Sequence, residues 1–266
     1  MYEKHWGLAD KPFRNTPDPH YFYFSPQHEE ALSRMLYCLL EGQGGMLLSG
    51  EVGSGKTMLA RVLLDTLDPQ RFEAAYLTYS SLNAAEFLRE ILRQFGITTN
   101  DTNKAKLLAY FGDCLEAHRD AGRATIILVD EAQLAADAET LEEMRLLMNF
   151  QQDRKFAVSL VLLGQPELRD QVKSSPQFLQ RLTVRQHLNA LSAEESRNYL
   201  HHRLQVAGGR PDIFTQGAED MLIKASGGIP RRINGLADMA LLAGFGKKAP
   251  LVDEEIMAQA VKDGMN

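Results

Sequence analysis

The stretch Gly50-Glu51-Val52-Gly53-Ser54-Gly55-Lys56-Thr57 constrains this chain more than any other. Its pattern, G-x-x-x-x-G-K-[ST], is meaningful only between a buried strand and a helix, and the flanking text supplies both: residues 46–49 read as a strand and 56–67 as a helix. Glycines at 53 and 55 let backbone N–H groups close around phosphate oxygens, and the following helix aims its positive end at the same anion. Lys56 is placed to reach terminal phosphates, and the Thr57 hydroxyl to ligate magnesium. The residues Gly50, Glu51, Val52, Gly53, Ser54, Gly55, Lys56, Thr57 and Met58 therefore form the candidate nucleotide-binding segment, with ATP and Mg2+ as the implied ligands. An ordinary Gly-rich turn with an incidental lysine is the competing reading, and the flanking elements weigh against it.

A second feature supports the first. Ile126-Ile127-Leu128-Val129-Asp130-Glu131-Ala132-Gln133 reads as a buried apolar strand ending in two adjacent acids. Beside a phosphate loop, Asp130 is the expected metal-shell residue and Glu131 the group that polarises an attacking water. Alone, the pair would read as solvated strand-end acids. Water as nucleophile makes hydrolysis of ATP to ADP and phosphate the expected reaction. A small-metabolite kinase is disfavoured because no acceptor pocket is evident, and a tandem-motor helicase because one sheet leaves no room for two motors.

Around these motifs, strand-like and helix-like text alternates. After a helix at 27–40, closed by Gly42, Gly44 and Gly45, strands are expected at 46–49, 74–78, 125–129, 157–163 and 183–188. Helices are expected at 56–67, 84–95, 104–121 and 139–150, which together imply a parallel sheet covered on both faces. Beyond Ala190 only helix signals remain, at 193–206, 217–225, 231–243 and 253–262, opened by a Ser192/Glu195 capping box. The predicted organisation is α/β: a P-loop domain over residues 1–190, then a small all-helical domain over 191–266. Residues 11–26 interleave Pro12, Pro17, Pro19 and Pro26 with Phe13, Tyr21, Phe22, Tyr23 and Phe24, which argues for an ordered aromatic loop rather than a helix.

Composition narrows the class. The formal net charge of −6 gives no overall electrostatic footprint for a polyanion, so a dedicated sequence-reading DNA-binding protein is disfavoured. No apolar run approaches the about 20 residues of a membrane span, and the charged N-terminus lacks a signal peptide's core. Cys38 and Cys114 lie far apart in apolar helical text and read as buried free thiols. The expected location is cytoplasmic, or peripheral at the inner membrane through a partner.

The phosphate loop, the Asp-Glu strand end and the helical C-terminal domain together resemble the AAA+ ATPases. Finer motifs resemble the ExeA/GspA ATPases, which assist type II secretion and related pilus or exopolysaccharide export: Trp6-Gly7-Leu8, Lys11-Pro12-Phe13, Pro17-Asp18-Pro19, Asp130-Glu131-Ala132-Gln133, Gly164-Gln165-Pro166-Glu167-Leu168, Gln180-Arg181-Leu182 and Gly228-Ile229-Pro230-Arg231-Arg232-Ile233-Asn234. The similarity runs over essentially the whole chain. Longer family members carry a membrane span and a periplasmic peptidoglycan-binding domain after the ATPase, so the short cytoplasmic forms are the closer comparison.

By position, this resemblance makes Gln165 the sensor-one residue, although Asn, Ser or Thr is usual there and a structural Gln in a Gly-Gln-Pro turn competes. It makes Arg231 the sensor-two arginine of the lid, with Arg232 the weaker candidate and a helix start with solvated arginines the alternative. Arg181 corresponds to an arginine finger acting on a neighbouring subunit, with Arg185 as alternate and a bland surface role in competition. The AAA+ resemblance further implies a nucleotide-dependent homo-oligomeric ring, an N-terminal aromatic segment beside the adenine, and a protein partner in the export machine. Two other classes remain: a DNA-binding accessory ATPase of the TniB/MuB transposition type, which shares Asp-Glu-Ala-Gln, and a non-hydrolysing switch, which Glu131 disfavours.

Overall fold

The computed structural model describes residues 1–78, 82–135, 138–152 and 155–264. Two compact units emerge, one of His28–Gly50 with Leu59–Leu188, the other of Met1–Gln27, Glu51–Met58 and Asn189–Asn266.

Along the chain, a short helix α1 (Glu3–Trp6) and a 3-10 turn (Pro19–Tyr21) precede α2 (Pro26–Glu41), β1 (Gly45–Gly50) and α3 (Lys56–Thr66). Next come β2 (Phe72–Leu77), α4 (Ala84–Gln94), α5 (Lys104–Asp120), β3 (Ala124–Val129), α6 (Ala138–Leu147), the two-residue strands β4 (Gln151–Gln152) and β5 (Lys155–Phe156), and β6 (Val158–Gly164). Helices α7 (Pro166–Lys173) and α8 (Pro176–Arg181) lead to β7 (Leu182–Leu188), followed by α9 (Ala193–Val206), α10 (Gln216–Ser226), α11 (Pro230–Lys247) and α12 (Glu254–Gly264).

The first unit is built on a five-stranded sheet of order β2-β3-β6-β1-β7, every pairing parallel. Strands β1 and β6 are buried along their whole length, and β3 is buried after its first residue, because helices must cover both faces of a parallel sheet. That explains the continuous apolar runs in the sequence. One helical layer is anchored by α4, whose Ala84, Phe87, Leu88, Ile91 and Leu92 recur at helical spacing and are all buried. An Asn83/Glu86 capping box starts that helix, and Asn103 caps α5 by accepting from the N–H groups of Ala105 and Lys106. Phe87 and Phe111, both fully buried, each contribute on the order of 2–3 kcal/mol of transfer free energy. Glu143 is buried in α6 and paired with Lys104 of α5, so its charge is compensated rather than stranded. Cys38 and Cys114 are buried free thiols whose burial pushes their pKa values up.

In the second unit, the N-terminal aromatics pack with the C-terminal helices: Trp6, Leu8, Phe13 and Tyr21 share a core with Leu200, Leu204, Ala237 and Leu241. Trp6 donates its indole N–H to the Leu241 carbonyl at 2.9 Å. Arg203 is buried yet satisfied, donating to the carbonyls of Pro12 (2.6 Å) and Arg14 (3.1 Å) while lying 4.7 Å from the Tyr21 ring centroid. The Ser192/Glu195 capping box is present at α9. Gly227 closes α10 in a left-handed conformation, and Pro230 opens α11.

The structure therefore has the expected α/β sheet and C-terminal helices, with differences at short elements. A 3-10 turn forms within 11–26, and α2 begins at Pro26, the first-turn position a proline tolerates. Helices α1, α7 and α8 have no counterpart in the sequence expectation, being too short to carry a period. Among the described residues, no helix is long and apolar enough to cross a membrane.

Candidate functional site

Strands β3, β6 and β1 are consecutive in the sheet, so their carboxyl ends lie side by side, the position where open parallel sheets bind ligands. Asp130 follows β3, Gln165 follows β6, and β1 runs into the glycine-rich loop.

The loop belongs to the helical unit. Ser54 N–H donates to the Glu51 carbonyl at 3.1 Å, and Gly53 and Gly55 take φ values of 84° and 104°, which side chains with a Cβ rarely adopt. Lys56 is only 4% exposed and donates from Nζ to the Glu51 carbonyl at 3.0 Å. Gly53 is also crowded. A Cβ there would lie 2.5 Å from Arg231 Cβ and 3.3 Å from Ile229 Cγ2, while Arg231 N–H donates to the Gly53 carbonyl at 3.3 Å. The start of α11 is thus fitted against the phosphate loop by backbone contact, and the side chains of Arg231 and Arg232 are exposed.

The acidic strand end lies in the sheet unit. Asp130 is 3% exposed; its N–H donates to the Leu77 carbonyl at 2.8 Å, continuing the ladder one residue past β3. Its carboxylate is held at both oxygens, Oδ2 accepting from the Tyr76 hydroxyl at 3.0 Å and Oδ1 from the Glu131 N–H at 2.9 Å. Burial, followed by the neighbouring Asp130 carboxylate, pushes the Tyr76 phenol well above its ordinary pKa, with Arg61 opposing. The phenol is therefore a donor and not a phenolate.

Glu131 has φ 50° and ψ 38°, a left-handed conformation that costs a non-glycine residue about 1–2 kcal/mol. Strained backbone of this kind is characteristic of functional positions. Two amides reach the same oxygen: Gln133 Nε2 stands 2.6 Å from Glu131 Oε2, and Gln165 Nε2 stands 3.4 Å from it. Gln165 occupies the N-cap position of α7 with extended backbone and makes no side-chain capping hydrogen bond there.

Arg181 ends α8 half-buried, donating from Nη1 to the Met148 carbonyl at 2.9 Å. Arg185 projects from edge strand β7 and is exposed. Sequence reading singled out neither Tyr76 nor Gln133 as part of the site. Gln133 falls in the Asp130-Glu131-Ala132-Gln133 motif, whose acids alone carry recognisable chemistry, and Tyr76 is an ordinary aromatic in a strand.

Within its own unit, the Asp130 carboxylate offers hard oxygen donors, and within the other the Thr57 hydroxyl does, each the donor type that magnesium takes. Among the described residues, no group of three or more His, Cys, Asp or Glu could by itself hold a metal ion.

Residues 39–172 match the family described as AAA domain. The chain is 42% identical over 250 residues to general secretion pathway protein A of Aeromonas hydrophila, covering 93% of this chain and 45% of that relative; it thus spans less than half the relative's length. Among solved structures, it resembles Cdc6p from Pyrobaculum aerophilum (TM-score 0.76, 16% identity, 96% of this chain and 71% of that one). It also resembles the Aeropyrum pernix ORC2 protein in its ADPNP–ADP complexes (TM-score 0.70, 20% identity, 97% of this chain and 72% of that one). At these identities the two structures speak to the fold alone.

Proposed function

We propose that this chain, which belongs to the AAA domain family and is similar to general secretion pathway protein A, hydrolyses ATP to drive assembly or remodelling of a secretion, pilus or polysaccharide-export machine. The observation that carries the hydrolytic reading is the treatment of the two acids after β3. Asp130 is buried and fixed at both oxygens, whereas Glu131, on a strained backbone, is presented to two amide donors.

In this reading the loop N–H groups and Lys56 bind the phosphates, and Thr57 and Asp130 would hold magnesium. The ion, when bound, supplies charge neutralisation at the phosphate oxygens. Glu131 accepts a proton from the attacking water as its oxygen bonds to the γ-phosphorus; the bond to the bridging oxygen breaks, and ADP departs with that electron pair. Gln165 orients the same water. Arg231 connects the lid, residues 191–266, to phosphate occupancy, and Arg181 acts in trans on a neighbour's nucleotide in a ring. The secretion role rests on the similarity to general secretion pathway protein A.

ATP turnover by the wild type and by Glu131→Gln, with assembly size followed in the same samples with and without double-stranded DNA, tests the proposal. The variant is expected to bind ATP and lose roughly 10²- to 10⁴-fold in turnover, the usual contribution of a general base. Normal turnover by the variant would sink the assignment of Glu131 as the proton acceptor, absence of turnover by the wild type would sink the hydrolytic reading, and DNA-stimulated turnover with filament growth would replace the export role.

A further inference from the structure

Gln133 has no task in this scheme, yet both ends of its side chain are used. It sits on the 3-10 turn Ala132–Leu134, two residues past Glu131. Nε2 donates to Glu131 Oε2 at 2.6 Å, while Oε1 accepts the backbone N–H of Gln165 at 3.0 Å. Since the Gln165 N–H can only donate, the amide has one workable orientation; flipping it would break both bonds. The main chain is anchored as well, because Gln171 Nε2 of α7 donates to the Gln133 carbonyl at 3.1 Å.

A second observation concerns room. Gly164, the last residue of β6, lies against this amide: a Cβ there would fall 2.6 Å from Gln133 Oε1 and 2.6 Å from Leu168 Cδ2. The side chain of Gln133 occupies the space that a residue larger than glycine would claim. Thus the end of β6 and the start of α7 are joined to the Glu131 carboxylate through one amide.

We infer that Gln133 is the positioning residue for Glu131, fixing the rotation of its carboxylate relative to the end of β6; the inference rests on the reading of Glu131 as the group that takes the proton from water. A neutral amide suits the task. It donates to the carboxylate without competing for the proton, which a second carboxylate at the same place would do, and it adds no charge beside Asp130.

The test uses the full chain carrying Gln133→Met, which keeps length and volume but removes both hydrogen bonds, alone and combined with Glu131→Gln. ATP affinity is measured by titration of a fluorescent nucleotide, and cleavage by single turnover of radiolabelled ATP, which follows slow reactions. Gln133→Met is expected to slow cleavage roughly 10- to 100-fold, the scale of a mispositioned catalytic group, with affinity retained within about twofold. In the Glu131→Gln background it is expected to have no further effect, because a residue that acts through Glu131 has nothing left to position. Cleavage at or above the wild-type rate overturns the inference, as does an equal slowing in both backgrounds, which would mark a purely structural role. Gly164→Ala, which displaces the amide without altering it, should reproduce the pattern and serves if Gln133→Met fails to fold. If Glu131→Gln itself cleaves normally, the reading of Glu131 falls and takes this inference with it; if it is slow while Gln133→Met is not, only the present inference fails.

Discussion

Replacing Tyr76 with Phe removes one oxygen and leaves the ring. That oxygen donates to Asp130 Oδ2 at 3.0 Å, and the Asp130 carboxylate is only 3% exposed, so water cannot simply take its place. Loss of a hydrogen bond to a buried charged group costs about 1.5–3 kcal/mol. For a protein of this size, that corresponds to a fall in melting temperature of roughly 3–12 °C. Differential scanning fluorimetry of wild type and Tyr76→Phe measures the shift, and the same substitution in an Asp130→Ala background isolates its source. With the carboxylate gone, removing its donor should cost little more, so the two changes should be strongly non-additive. A Tyr76→Phe melting temperature within about 1 °C of wild type, or a full additional loss in the Asp130→Ala background, would refute the argument that the phenol exists to hold this carboxylate.

Gly53→Ala places a Cβ 2.5 Å from Arg231 Cβ at a φ of 84°; with about 1–2 kcal/mol of left-handed penalty plus the clash, ATP affinity should fall roughly tenfold or more in a nucleotide titration. Arg181→Ala should leave ATP binding intact and impair turnover, with partial rescue in mixed assemblies that supply Arg181 from a neighbour; no rescue in any mixture counts against a role in trans. His118 is buried with Nδ1 2.8 Å from the Thr125 hydroxyl, and burial, with Arg123, pulls its pKa below the usual 6.5 against the opposing pull of Glu73. Below that pH the unfolded chain binds a proton that the folded chain resists, so stability is undiminished above about 6.5 and declines as pH falls. Urea midpoints at pH 7.5 and 5.5 should differ less in His118→Gln than in wild type. Trp6→Ala empties a site sealed by Leu241 and Gly244 and should cost about 3–5 kcal/mol, read from the denaturation midpoint.

How much of this was legible in the sequence depended on the range of the signal. Strands β1, β3 and β6 announced themselves because burial on both faces leaves unbroken apolar text, and their ends differ from expectation by a residue or two. The Ser192/Glu195 cap was legible because both partners lie within four residues of sequence. Helix α7 was not, since only Leu168 and Val172 are buried in its eight residues and a period needs more points than two. The packing of Trp6 and Phe13 among the C-terminal helices is a contact across some 200 residues, and no local pattern encodes it. At the site, the residues with motif chemistry could be named, but their supports could not. Tyr76 becomes a carboxylate donor only because β2 pairs with β3 in a register that sets Tyr76 beside Leu128, two residues before Asp130. Gln133 finds Gln165 only because β6 adjoins β3.

The fit between Gly53 and the first turn of α11 bears on transplantation. A graft of Gly50 through Thr57 into another scaffold would carry the sequence of the phosphate cradle but leave behind the Arg231 N–H that bonds its turn and the Ile229 side chain packed over it. Homologous recombination that exchanged the C-terminal helices between distant relatives would face the same difficulty from the other side, because a different backbone path at residues 229–231 would meet Gly53 with no side chain to trim. The natural seam for shuffling this protein therefore does not follow the order of the chain: the loop and the helix that braces it have to travel together.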